Sequence, residues 1–253
     1  LFANTTAVYN DYRFTFSGAQ NNLEFQLNSG IRDLGLKQDF DLYPFTGHRI
    51  KFGGQYIYHR FKPSLVTGKQ DSVVFNPKNP DIKFAHEAAL YAQDDWDISP
   101  AVKLQAGLRY SFFRQVGPYT SYETDINGNR IDSIVYGNGQ PVKTYTGLEP
   151  RLSLRVSLNE NTSLKASASR NYQFIHLVSN SGSTLPTDIW VPSTLLVKPQ
   201  ASWLYAAGLF RNFRDNTYEA SLEVYYKDMR NQIEYEEGYT PNTLQDEIGR
   251  AHV

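Results

Sequence analysis

Apolar and polar residues alternate one for one along unusually long runs of this chain. In Ala101–Phe112, Val102, Leu104, Ala106, Leu108, Tyr110 and Phe112 share one face, opposite Lys103, Gln105, Gly107, Arg109 and Ser111. In Arg151–Leu158, Leu152, Leu154, Val156 and Leu158 oppose Arg151, Ser153, Arg155 and Ser157. Around Ile50–Tyr58, Ile50, Phe52, Tyr56 and Tyr58 oppose Lys51, Gln55 and, less cleanly, Ile57. In Tyr218–Tyr226, Ala220, Leu222 and Val224 oppose Glu219, Ser221, Glu223 and Tyr225. A period of two puts successive side chains on opposite faces of a strand. The runs are about twice the usual 5–6 residues of a globular strand and near the roughly 9–11 needed to cross a bilayer at a tilt. The pattern predicts strands near 4–17, 23–42, 48–61, 83–98, 101–115, 145–158, 162–174, 200–213 and 217–229, with a tenth beginning near Gln232. Aromatics make up 14% of the 253 residues, yet mean hydropathy is only −0.50. No stretch reaches the roughly 18 apolar residues of a membrane helix. A barrel strand hides its lipid face in alternation, so this composition suits a membrane barrel equally well.

The connections sort by length. The link between 61 and 83 is long and carries Pro63, Pro77 and Pro80; Ser99-Pro100 is tight. Residues 116–144 are long, with Gly117-Pro118, Asn127-Gly128 and Gly137-Asn138-Gly139, whereas Asn159-Glu160-Asn161 is tight. Residues 175–199 are long and Arg214-Asp215-Asn216 is tight. A meander crossing a membrane alternates in this way, with short periplasmic turns and long extracellular loops. A soluble sandwich or propeller has no cause to do so. Trp96, Tyr43, Phe45, Trp203 and Tyr205 stand near strand ends, where a barrel's interfacial aromatic girdle lies, although aromatic pairs also pack across strands in any sheet.

Several chemistries lack the residues they need. Cysteine is absent and formal net charge is −1, so disulfides, thiolate sites and a basic nucleic-acid surface are excluded. His48, His59, His86, His176 and His252 are scattered without ligand spacing. Asp94, Asp95 and Asp97 read as a solvated rim beside Trp96 rather than an acid cluster. Asp125, Asn127, Asn129 and Asp132 lack the glycine and glutamate positions of a calcium loop, and an Asn-Gly hairpin turn explains them. With no nucleophile elbow and no phosphate loop, the chain is expected to hold no catalytic, cofactor or metal site. The polar strand faces supply Lys103, Arg109, Arg151, Arg155, Lys165, Glu219, Glu223 and Lys227, which in a barrel point into the lumen. Trp190, bracketed by Pro186 and Pro192 with His176 at the start of its loop, either contacts a solute or partner or packs into the loop's own core.

A resemblance rests on particular segments. His86-Glu87-Ala88-Ala89-Leu90-Tyr91-Ala92-Gln93-Asp94-Asp95-Trp96, then Ser99-Pro100 and Gly107-Leu108-Arg109-Tyr110, resembles the mid-barrel hairpin of TonB-dependent outer-membrane receptors. Ile31-Arg32-Asp33 with Leu36-Lys37-Gln38-Asp39-Phe40 and His48-Arg49-Ile50-Lys51-Phe52-Gly53-Gly54 resembles the hairpin before it. Glu149-Pro150-Arg151, Asp188-Ile189-Trp190-Val191-Pro192-Ser193 and Glu223-Val224-Tyr225-Tyr226-Lys227-Asp228-Met229-Arg230-Asn231-Gln232-Ile233 extend the match, which is similar to receptors of the Bacteroidetes type. The resemblance covers residues 1–246. It implies an all-β antiparallel transmembrane β-barrel fragment, about nine or ten strands of a plugged barrel of roughly 22. It also implies import of a scarce extracellular solute across the Gram-negative outer membrane. Its partners would be the TonB complex, reached through an N-terminal plug absent from this sequence, and a surface lipoprotein.

Both ends read as cuts within a longer chain. Glu247-Ile248-Gly249-Arg250-Ala251-His252-Val253 back-translates to GAG ATC GGA AGA GCA CAC GTC, which from its second base matches a common short-read sequencing adapter. These seven residues are therefore expected to be an artefact. From the residues alone two other classes stay open: a non-transporting outer-membrane barrel (an adhesin or porin-like protein) and a soluble carbohydrate-binding β protein.

Overall fold

In a computed structural model, residues 1–20, 23–70, 73–75, 82–125, 130–178 and 189–233 are described. Within them the chain forms fourteen strands and no helix. Nine long strands follow one another as an antiparallel meander: β1 (Phe2–Gln20), β2 (Leu23–Leu42), β3 (His48–Gln70), β5 (Lys83–Ser99), β6 (Val102–Val116), β9 (Pro141–Asn159), β10 (Thr162–Gln173), β13 (Gln200–Phe213) and β14 (Tyr218–Arg230). Short β4 (Val73–Phe75) folds back on the end of β3. Two hairpins, β7 (Tyr119–Thr124) with β8 (Arg130–Tyr136) and β11 (Ile175–Val178) with β12 (Ile189–Pro192), occupy the long connections. Among the described residues the sheet does not close, and β1 and β14 are its edges.

Each predicted strand forms, with most ends within about three residues. The links after 61 and 116 differ from expectation. Both were read as loops, yet β3 continues to Gln70 and β7–β8 is a hairpin. Pro63 pointed to a break. The pairing register shifts at that point, Asn28 facing Leu65 and Gly30 facing Lys62. A bulge accommodates a residue without an N–H while the strand runs on. The tip of the 116–144 connection, including Asn127-Gly128, lies outside the described residues, as do the expected tenth strand beyond Ile233 and residues 247–253.

The tight turns lie at one end of the meander and are closed by their own residues. The Ser99 hydroxyl accepts from the Val102 N–H at 3.2 Å, and the Asn159 side chain accepts from the Asn161 N–H at 3.0 Å. Arg214, Asp215 and Asn216 take φ of 49°, 52° and 67° in succession, the left-handed region that short polar side chains tolerate best. Gly47, at φ 84°, accepts from the Asp97 N–H at 2.7 Å and so ties two neighbouring turns together.

Candidate functional site: the polar inner face

Strand pairing carries the alternation across the whole sheet. Lys103 faces Arg155, Arg155 faces Lys165, Lys165 faces Gly208 and Gly208 faces Glu223. One residue along, Leu104 faces Leu154, Leu154 faces Ala166, Ala166 faces Ala207 and Ala207 faces Val224. The sheet therefore has one polar and one apolar face in the predicted register. The apolar face is the uncovered one: Leu34, Leu90, Leu222 and Val224 expose between 60% and 69% of their surface. Residues on the polar face, such as Ser29, His59, Ser111 and Glu149, are buried instead. This inverts a water-soluble sheet, because a continuous exposed apolar surface marks contact with lipid or another protein.

Ion pairs and hydrogen bonds run across the polar face. Lys37 meets Asp39 at 2.9 Å, Arg49 meets Asp41 at 3.0 Å and Lys103 meets Asp97 at 2.8 Å. The Asp95 carboxylate accepts from Gln93 and Gln105 at 2.8 and 2.7 Å, with Lys51 at 3.7 Å. Tyr91 donates to Asp39, and Ser111 donates to Glu149. Arg109 stands 3.7 Å from Glu149. Two glycines make room for large neighbours. A Cβ on Gly53 would lie 2.7 Å from the Tyr91 hydroxyl, and one on Gly147 would lie 2.4 Å from the Tyr172 ring.

Two cavities open on this face. One, of about 730 Å³, is lined by Lys103, Arg155, Lys165, Phe210 and Glu223 near the tight turns. The other, of about 480 Å³, is lined by Lys37, Asp39, Lys51, Tyr91, Arg109 and Arg151. Lys165 holds its ammonium 3.9 Å from the centre of the Phe210 ring. Among the described residues Arg155 has no carboxylate partner, although it stands between Lys103 and Lys165. The face thus offers fixed charges of both signs to whatever occupies its concavity.

Toward the long connections the β11–β12 hairpin folds back over the polar face. Phe174 stacks on Phe113 at 5.2 Å, and with Ile31, Phe61 and Ala85 the two rings form a buried cluster. Trp190, Ile175, Tyr145 and Tyr172 pack against it. Trp190 therefore packs against the barrel wall, which contributes most of that core, and not into a core made by its own loop. The Tyr145 hydroxyl donates to the Thr194 carbonyl at 2.7 Å, and the Ser193 N–H donates to the Phe174 carbonyl at 2.7 Å. His176, fully buried, shares a 3.1 Å hydrogen bond between Nε2 and the Ser193 hydroxyl, while among the described residues Nδ1 has no partner. Burial pushes its pKa down to about 4.

Three histidines of the sheet each meet different partners. His48 pairs with Asp94 at 2.8 Å and stacks on Trp96, on the apolar side. Asp95 and Asp97, one and three residues on, belong to the polar side, so the three carboxylates form no cluster. His86 receives a hydrogen bond from Tyr56 or gives one to it, at 2.6 Å. His59 was named in the sequence only as one of five scattered histidines. It is buried on the polar face, 2.8 Å from Asp33 and 3.6 Å from Glu87, beneath the Phe113 cluster. A signal for it was present: it is the one polar-face histidine in a run otherwise bounded by Ile57 and Phe61. Among the described residues no group of three or more acids and histidines is arranged to hold a metal.

Solved structures share this fold. The copper transporter OprC aligns at a TM-score of 0.64 and 15% identity, covering 93% of this chain and 37% of its own. The ferric yersiniabactin uptake receptor FyuA from Yersinia pestis aligns at 0.59 and 12%, covering 91% and 34%. The ferric citrate transporter FecA aligns at 0.59 and 12%, covering 91% and 32%. The chain thus spans about a third of the length of these proteins. No curated protein matches its sequence. By their names these proteins are two transporters and an uptake receptor. From residue 1 to residue 253 the sequence matches the family described as TonB dependent receptor-like, beta-barrel, and the chain belongs to that family.

Proposed function

We propose that this chain is part of the barrel wall of an energy-coupled receptor of the Bacteroidetes type, which imports a scarce solute across the outer membrane. The complete protein would couple to the TonB complex through a plug held against the polar face. A surface lipoprotein meeting the outer loops is a further partner implied by the sequence motifs. The observation that carries the reading is the inverted sheet: an apolar face left uncovered, and an ion-paired polar face that lines cavities. Such a wall suits a lumen through which a polar solute passes, and solved relatives are described as taking copper, ferric yersiniabactin and ferric citrate.

The test is uptake by cells with and without the full-length receptor, using cupric ion and a panel of ferric chelates as probes. The proposal expects uptake of at least one probe that disappears on deletion of the receptor and equally on deletion of TonB. Uptake that persists without TonB would assign the barrel to passive or structural work instead.

A further inference from the structure

One carboxylate breaks the apolar face. Across β3, β5, β6 and β9, Ile50, Asp94, Ala106 and Leu152 stand in one row. Within residues 48–58, 90–96, 102–112 and 148–158, Asp94 is the one acid on that face, and no Lys or Arg shares it. Neighbouring cations belong to the polar face, where Arg49, Lys51 and Lys103 meet Asp41, Asp95 and Asp97. The partner Asp94 does have is His48, whose Nδ1 lies 2.8 Å from Oδ2. An imidazole cancels a carboxylate's charge only when it is protonated. The other oxygen, Oδ1, is covered and has no hydrogen-bond partner among the described residues. Ionisable side chains at membrane depth are costly, rare and by default functional.

The surroundings of Asp94 suit a particular cation. His48 lies flat on Trp96 with ring centres 5.1 Å apart, and Phe45 meets the His48 ring edge-on, also at 5.1 Å. Trp96 keeps 40% of its surface exposed and Phe45 keeps 66%. The Asp94 side chain keeps 35%, and with Oδ1 covered the carboxylate is approached at Oδ2. Two strand residues of about 3.3 Å each, tilted by about 40°, put Asp94 roughly 5 Å inside the level of Trp96. Interfacial Trp marks the depth of lipid headgroups. A cation held there needs an N–H to donate to the carboxylate, and it must be small enough to sit against the open indole. Exposed Phe52, Leu90 and Leu108 continue the same face toward mid-strand and offer apolar surface to acyl chains. The primary ammonium of an aminophospholipid meets all of these conditions.

We propose that Asp94, with His48, Trp96 and Phe45, forms a site for the ammonium group of an ethanolamine phospholipid in the leaflet at the tight-turn end. The inference rests on the reading that the apolar face meets lipid.

The experiment uses the full-length receptor in mild detergent and native mass spectrometry, with phosphatidylethanolamine and phosphatidylglycerol of identical acyl chains as probes. The wild type should hold phosphatidylethanolamine about tenfold more tightly, the worth of one charge-assisted hydrogen bond. Asp94→Asn should lose that preference. His48→Gln should keep or widen it, because it leaves the carboxylate to the lipid. The comparison of the two lipids on the wild type needs no variant to fold. Equal retention of both by the wild type, or an unchanged preference in Asp94→Asn, would overturn the proposal. So would displacement of the lipid by free ethanolamine, which would assign the carboxylate to a soluble amine. A spin label at Leu104, opposite Trp96, reads the underlying claim separately. Stronger relaxation by oxygen than by an aqueous nickel chelate, with no lipid preference, removes the site alone. The reverse pattern removes the lipid-facing reading and the site with it.

Discussion

Neighbouring residues on one strand meet opposite environments, and the consequences are measurable one side chain at a time. Leu222 is exposed on the apolar face, while Glu223 borders the larger cavity. In the full-length receptor, Leu222→Arg should destabilise the folded barrel by about 2–4 kcal/mol, seen as a lower urea midpoint and loss of heat-modifiable mobility. Glu223→Arg should change either little. His176 gives a second test. It titrates near 6.5 when free and near 4 when docked, so the docked hairpin binds fewer protons than the released one below pH 6.5. Docking is then at full strength above about pH 6.5 and weakens as pH falls toward 4, by roughly 3 kcal/mol in all. Protease cleavage of the 175–199 loop should rise across that window, and His176→Phe should flatten the rise. The sequence displayed the faces of Leu222 and Glu223 because alternation is local. It did not display the burial of His176, which depends on a hairpin docking against distant strands.

At the scale of elements, most ends of the long strands were legible to within a few residues because their period persists for so long, the end of β3 excepted. The long connections were not. Pro63 marked a bulge in a continuing strand, since the sequence does not say whether a missing N–H faces a partner. The sequence marked 175–199 only as a long connection; in the structure Phe174 finds Phe113, Phe61 and Ile31 on three other strands and lays the β11–β12 hairpin over the wall. Removing that ring should free the hairpin and leave the barrel intact. Phe174→Ala is expected to cost docking about 3–5 kcal/mol, as for a buried aromatic. Limited proteolysis should then cut the 175–199 loop at neutral pH, with unchanged heat-modifiable mobility. Cleavage no faster than in the wild type would mean the hairpin is held by Tyr145 and Ser193 instead.

For the whole molecule, an open sheet with edges at β1 and β14 and an exposed apolar face cannot be stable by itself in lipid, where each unpaired backbone group costs several kcal/mol. Pairing of those two edges with further strands would remove the cost. The central claim is that the apolar face of this arc meets lipid and the polar face meets the lumen. Spin labels placed one at a time from Val102 to Phe112 on β6, in the full-length receptor in bilayers, test it most directly. Relaxation by oxygen, which concentrates in lipid, should peak at 104, 106, 108 and 110. Relaxation by an aqueous nickel chelate should stay low at those four positions and be higher at 103, 105, 107 and 109. The two profiles should alternate out of phase with a period of two. Profiles that rise and fall together, or an oxygen maximum on Lys103 and Arg109, would contradict the account.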